Sequence, residues 1–132
     1  MDNRFYPGVE ADVSQLEAEL RGIFDQDYEV QTMHVATTTL VQARKSSTLR
    51  DITGLSAALT IKITPEGAGT RVEIGMQKWL DKAAVAAVAV ILSAGLLIAL
   101  PAIGAYWQYR ITEEAWKVVE GHIAARTKRG NR

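Results

Sequence analysis

The stretch AAVAAVAVILSAGLLIALPAIGAYW, residues 83–107, carries no charged side chain and is bracketed by Lys82 and Arg110. Its reading decides the fold. As a helix, its 25 residues extend about 37 Å, against a hydrocarbon core of about 30 Å. One tilted crossing fits. Cutting the stretch at Ser93–Gly95 or at Pro101 leaves at least one piece too short to span, so a hairpin would be re-entrant. Backbone exposed at membrane depth is costly unless protein or water covers it. A helix inside a soluble core is the third choice. Such a helix, apolar all round, must be covered all round, and the rest of the chain is too small to do that. The stretch therefore predicts a single transmembrane helix within residues 79–109, with a re-entrant hairpin as the alternative.

The flanks suit a lipid interface. Trp79 precedes the stretch and Tyr106, Trp107 and Tyr109 close it, at the level where aromatic side chains meet headgroups. Lys82 and Arg110 can snorkel. Pro101 removes a backbone bond and predicts a kink. Small residues recur four apart, as in Ala89–Ser93 and Gly95–Ala99, which permits close helix approach in lipid. Orientation is balanced: Arg71, Lys78 and Lys82 stand before the stretch, and Arg110, Lys117 and Arg126 after it. The tail and the preceding domain both carry further basic residues that tilt them toward the cytoplasmic side, which favours the hairpin alternative.

Outward from the stretch, the clearest pattern lies just before it. In LSAALTIKIT, Leu55, Ala57, Leu59, Ile61 and Ile63 alternate with polar or small residues, and in TRVEIGMQ, Val72, Ile74 and Met76 do the same. PEGAG between them is turn chemistry, so the pair predicts an antiparallel hairpin with one buried and one wet face. Upstream, YEVQTMHVA and TLVQARK have β composition, with a turn near Thr37–Thr38. SSTLRDITG reads as one short helical turn, capped by Ser47 and stopped by Gly54. Residues 9–27 predict an amphipathic helix: Asp12 and Gln15 resemble a capping box, and Val13, Leu16, Leu20, Ile23 and Phe24 form one stripe. Beyond the apolar stretch, Thr112 is a candidate N-cap and Ile111, Ala115, Trp116, Val119 and Ile123 form a second stripe. This short helix either lies on the membrane surface or packs on a neighbouring subunit.

The expected fold is α+β: an N-terminal amphipathic helix on a four-stranded antiparallel sheet, then the transmembrane helix, then the short amphipathic helix. The expected division is an arm at 1–8, the α+β domain at 9–78, the membrane segment at 79–109 and the helix with its basic tail at 110–132. A core of this size buries only about 60% of its unfolded surface, so homo-oligomerisation is expected to help it.

The chain carries 15 basic and 15 acidic side chains, so no whole-chain field points to nucleic acid. The absence of cysteine excludes disulfides, thiolate catalysis and cysteine-ligated metals. His34 and His122 have no metal-type partner near them in sequence, and no nucleophile elbow, phosphate loop or dinucleotide fingerprint is present. No catalytic residue, metal or cofactor is expected. One cluster, ARKSSTLR, sets Arg44, Lys45 and Arg50 beside Ser47 and offers an anion or lipid headgroup a site; the bland alternative is a solvated strand end.

QARK, then Leu49–Arg50 and Gly54, then ALTIKIT, then IGMQKWLDKA leading into the apolar stretch, resembles a family of small uncharacterised bacterial membrane-associated proteins. Some members carry a zinc ribbon in front; a chain without cysteines has none. The resemblance implies bacterial origin and location at the cytoplasmic membrane, and no activity. Together these readings predict a membrane-anchored module that works by self-assembly or protein binding, with membrane lipid as a partner. A pore-forming or holin-like protein and an anionic headgroup-binding module are the alternatives.

Overall fold

The computed structural model describes residues 2–24, 28–45, 57–78 and 105–130. These form β1 (Asp2–Tyr6), α1 (Val13–Arg21), β2 (Tyr28–Val35), β3 (Thr38–Lys45), β4 (Ala57–Glu66), β5 (Gly69–Lys78) and α2 (Ala105–Gly130). The strands make one antiparallel sheet in the order β1-β5-β4-β3-β2.

The expected hairpin is its centre. Ile61 pairs with Ile74 and Ile63 with Val72. All four, with Leu59, are buried on the face that receives both helices. α1 starts where Asp12 caps it, its Oδ1 accepting from the Gln15 N–H at 3.1 Å. It ends at Gly22, whose N–H bonds back to Ala18 and Glu19. Leu16 and Leu20, four apart, are fully buried against the sheet. The β2–β3 turn uses Ala36 and Thr37, one residue earlier than expected, with Ala36 at φ 53°. Gly67 takes φ 59° in the β4–β5 turn.

Four expectations change. The sheet has five strands, because residues of the expected arm form β1 beside β5, with Arg4 opposite Val72 and Tyr6 opposite Thr70. Gly69 permits this: a Cβ there would meet Phe5 Cζ at 2.7 Å and the Tyr6 carbonyl oxygen at 2.8 Å. The wet face of β4 is also not wet. Ala58 and Thr60 are fully buried and Lys62 nearly so. Their row is polar but paired: Gln31 donates to Gln42 at 2.8 Å, Gln42 donates to Thr60 at 3.0 Å, and Lys62 meets Glu73 at 3.0 Å.

The third change concerns the C-terminal helix. It is not short and does not lie apart; α2 is 26 residues long and packs on the same sheet face as α1. Ile111, Ala115, Trp116, Val119 and Ile123 all enter the core shared by α1, β3, β4 and β5.

The fourth is the transmembrane helix, and with it the description of the chain as a transmembrane protein. Among the described residues, no helix is long and apolar enough to cross a membrane. Residues 105–109, expected at the end of the span, open α2 instead. Charged and polar residues follow at once, from Arg110 through Glu113 and Glu114. Trp79, Lys82, Ala89, Ser93, Gly95 and Pro101 lie outside the described residues, as do the helical turn expected at SSTLRDITG, Ser47 and Arg50.

Candidate functional site

Among the described residues, two side-chain clusters and a bond from Arg126 Nε to the Glu10 carbonyl fix α2 to the rest of the fold. At the first, Glu120 accepts from Arg4 Nη1 and from the Tyr6 hydroxyl, both at 2.8 Å. The Arg4 guanidinium also lies 4.1 Å over the Trp116 ring, one helical turn before Glu120. The Tyr6 hydroxyl holds the Glu120 carboxyl below the usual carboxylate range, and Arg4 adds to the effect. Burial pushes the Tyr6 hydroxyl well above its ordinary value, with Glu120 adding to it.

That depression fixes a sign. A carboxylate with a lowered folded-state pKa contributes stability above its unfolded pKa and loses it as pH falls through the folded value. The Arg4–Glu120 pair is about half exposed on both sides, so solvent screening holds the contribution below about 1 kcal/mol. We expect Glu120→Gln to lose that amount at pH 7 and to flatten the acid limb. Urea midpoints of both proteins from pH 7 to pH 3 should therefore converge; a constant gap would contradict the role given to Glu120.

At the second joint, His122 is 4% exposed. Its Nε2 accepts the Asp12 backbone N–H at 3.1 Å, which sets the proton on Nδ1, facing Glu19 Oε1 at 3.5 Å. Both nitrogens are thereby committed to holding α1 against α2. A His–Glu pair in a cleft resembles a general-base dyad, but Nε2, the atom that would take a substrate proton, is occupied. Beside this joint a cleft of about 490 Å³ runs between the helices, lined by Gln15, Glu19, Ile23, Lys117, Gly121 and Arg126. Glu19, Lys117 and Arg126 bring both charges to this lining beside the apolar Ile23.

His34, in β2, meets the Thr39 hydroxyl at 3.2 Å. Among the described residues, no group of three or more His, Asp or Glu side chains could hold a metal ion.

Of the expected site residues, Arg44 and Lys45 end β3. Arg44 pairs with Glu29 across β2 and β3 at 2.8 Å and is mostly buried, so its charge is largely met within the sheet. Lys45 lies at the last register position, opposite Tyr28. The β3–β4 register ends at Ala43 opposite Leu59, and on β4 Ala57 lies opposite Lys78. Tyr106, Trp107, Tyr109 and exposed Arg110 occupy the start of α2.

Sequence reading did not find Arg4, Tyr6 or Glu120, or the role of His122. The N-terminal residues carried no strand pattern to bring Arg4 and Tyr6 near α2, and their partners lie more than 100 positions away. The fold and joints define a small α+β protein with both helices on one face of an antiparallel sheet. No family model, curated protein or solved structure matches the chain. The resemblance to small bacterial membrane-associated proteins therefore rests on the quoted residues alone.

Proposed function

We propose that the protein is a lipid-attached binding module, held from one side of a membrane and acting by contact rather than catalysis. One observation carries the reading: β5 and α2 belong to the same folded unit. The sequence between Lys78 and Ala105 contains the charge-free run from residue 83 onward. Such a run is costly to leave in water. Attachment from one side fits both that apolar composition and the core that β5 shares with α2. The structural commitment of His122 supports a non-catalytic role, and the cleft between α1 and α2 is the surface we assign to a protein partner. Self-assembly loses part of its physical motive, because α2 supplies from within the chain the cover that oligomerisation was expected to provide.

The cysteine-free chain suits a direct test. Ala68 in the β4–β5 turn and Ala124 on α2 are both exposed. We expect the double variant Ala68→Cys, Ala124→Cys, reconstituted into sealed vesicles, to take two membrane-impermeant maleimides per molecule or none. Mass spectrometry reads the number directly, whatever the orientation. A population with a single label would place the two residues on opposite sides and overturn the proposal.

A further inference from the structure

We infer that His122 is a proton-operated latch between α1 and α2, and that acid opens the cleft beside it at the end where Gln15 and Arg126 stand. The latch follows from the geometry of the joint; only what the cleft then receives rests on the reading above. The imidazole is buried, its side chain 2% exposed, and both nitrogens are in use. Nε2 accepts the Asp12 backbone N–H at 3.1 Å, and Nδ1 keeps its proton toward Glu19 Oε1 at 3.5 Å. A second proton can enter only at Nε2, where it would point at the Asp12 N–H. Two donors cannot face each other there, because a doubly protonated ring has no acceptor. The charged ring therefore requires Asp12 to leave.

The surrounding groups set how far the release goes. Glu19 of α1 is the anion that faces the ring, and it offers an imidazolium a counter-charge at Nδ1. That contact strengthens on protonation while the one to Asp12 is lost. On α2, Lys117 and Arg126 are the cations that line the cleft with His122. Arg126 Nε donates to the neutral Glu10 carbonyl, so its charge adds to that of a protonated ring. Glu120 is taken up by Arg4 and Tyr6 of β1. From β5 the contact is neutral: Thr70 Oγ1 accepts the Ala11 N–H at 3.1 Å and donates to the Val9 carbonyl at 2.8 Å. Those bonds hold Val9 and Ala11 on the sheet without help from the ring. The moving part is therefore Asp12 with the first turn of α1, which Asp12 caps through the Gln15 N–H. Gln15 lines the cleft, and so does Gly121, where a Cβ would meet nothing within 4 Å. The turn has open space beside it.

The sign follows from proton count. The released form holds one proton more than the latched form, so acid favours release, by at most about tenfold in their ratio per pH unit. Imidazole is the side chain that changes charge in the physiological range.

The test uses the full chain in lipid nanodiscs, from about pH 8 to about pH 5. Amide hydrogen exchange at Asp12, corrected for the intrinsic effect of pH, reads the latch directly. We expect its protection to fall with acid, approaching about tenfold per pH unit, while the Ile61 amide at the sheet centre keeps its protection. Nitrogen chemical shifts of the same ring should show the proton on Nδ1 at the upper pH and the imidazolium forming as Asp12 is released. His122→Gln offers the Asp12 N–H an amide oxygen that does not titrate, and its Asp12 protection should not depend on pH. A neutral ring protonated on Nε2, pH-independent protection in the parent, parallel loss at Ile61, or the parent's acid response in the Gln variant each overturns the latch. The ring shifts are read on the parent, so the outcome does not hang on how well the variant folds. One-sided attachment stands or falls separately, on the labelling count.

Discussion

A chain that stops at Lys78 is expected not to fold. The sheet and α1 bury their apolar face against Ile111, Trp116, Val119 and Ile123 of α2, all at most 6% exposed. Burying side chains of this kind stabilises by about 1.5–3 kcal/mol each, so the four together contribute about 6–12 kcal/mol. That equals the whole net stability of a typical domain, about 5–15 kcal/mol. The truncation also removes the acceptor for the Asp12 N–H and the carboxylate that joins Arg4 to Tyr6. Circular dichroism and amide proton dispersion of residues 1–78 should show no cooperative transition. Adding a peptide of residues 105–132 should restore one. A fragment that melts cooperatively on its own would mean that α2 is an appendage.

That expectation marks where sequence reading stopped. Alternation made β4 and β5 legible, because a period of two with turn residues between has few other meanings. The Asp12–Gln15 spacing located the start of α1. The stripe on α2 was also legible, down to Ile111, Trp116, Val119 and Ile123. Its partner was not, because an apolar stripe is the same whether it faces lipid, another subunit or its own sheet. Width could have decided the matter. Five strands at about 4.8 Å spacing span about 19 Å, while one helix covers about 10 Å. One nine-residue α1 cannot cover such a sheet face. That argument was closed to the sequence because β1 was missed: Asn3–Arg4–Phe5–Tyr6 is short, lacks apolar alternation and runs straight into Pro7–Gly8. Thr60 and Lys62 of β4 were assigned to the solvated face for a related reason. Alternation assigns polar residues to a solvated face, whereas cross-strand pairing lets them be buried.

Trp116→Ala is expected to produce the largest loss from any single substitution, about 3–5 kcal/mol. The indole is 5% exposed in the core and carries the Arg4 guanidinium 4.1 Å over its ring. The cation–π contact contributes about 0.5–1 kcal/mol of that loss; the cavity and the lost burial account for the rest. Arg4 keeps its bond to Glu120 in the variant, so the joint is weakened rather than removed. Trp116→Phe, which retains a ring for both the core and Arg4, should recover most of the stability. Urea midpoints of the full chain, parent and variants in the same medium, read the effect. The same substitution distinguishes the packed helix from one lying on lipid. If the α2 stripe faced a bilayer, Trp116→Ala would weaken vesicle binding and leave the unfolding midpoint in place. If α2 belongs to the core, the midpoint falls and the affinity of the remaining folded protein for vesicles does not. The second pattern is the one required by a ring wedged between Arg4 and the sheet.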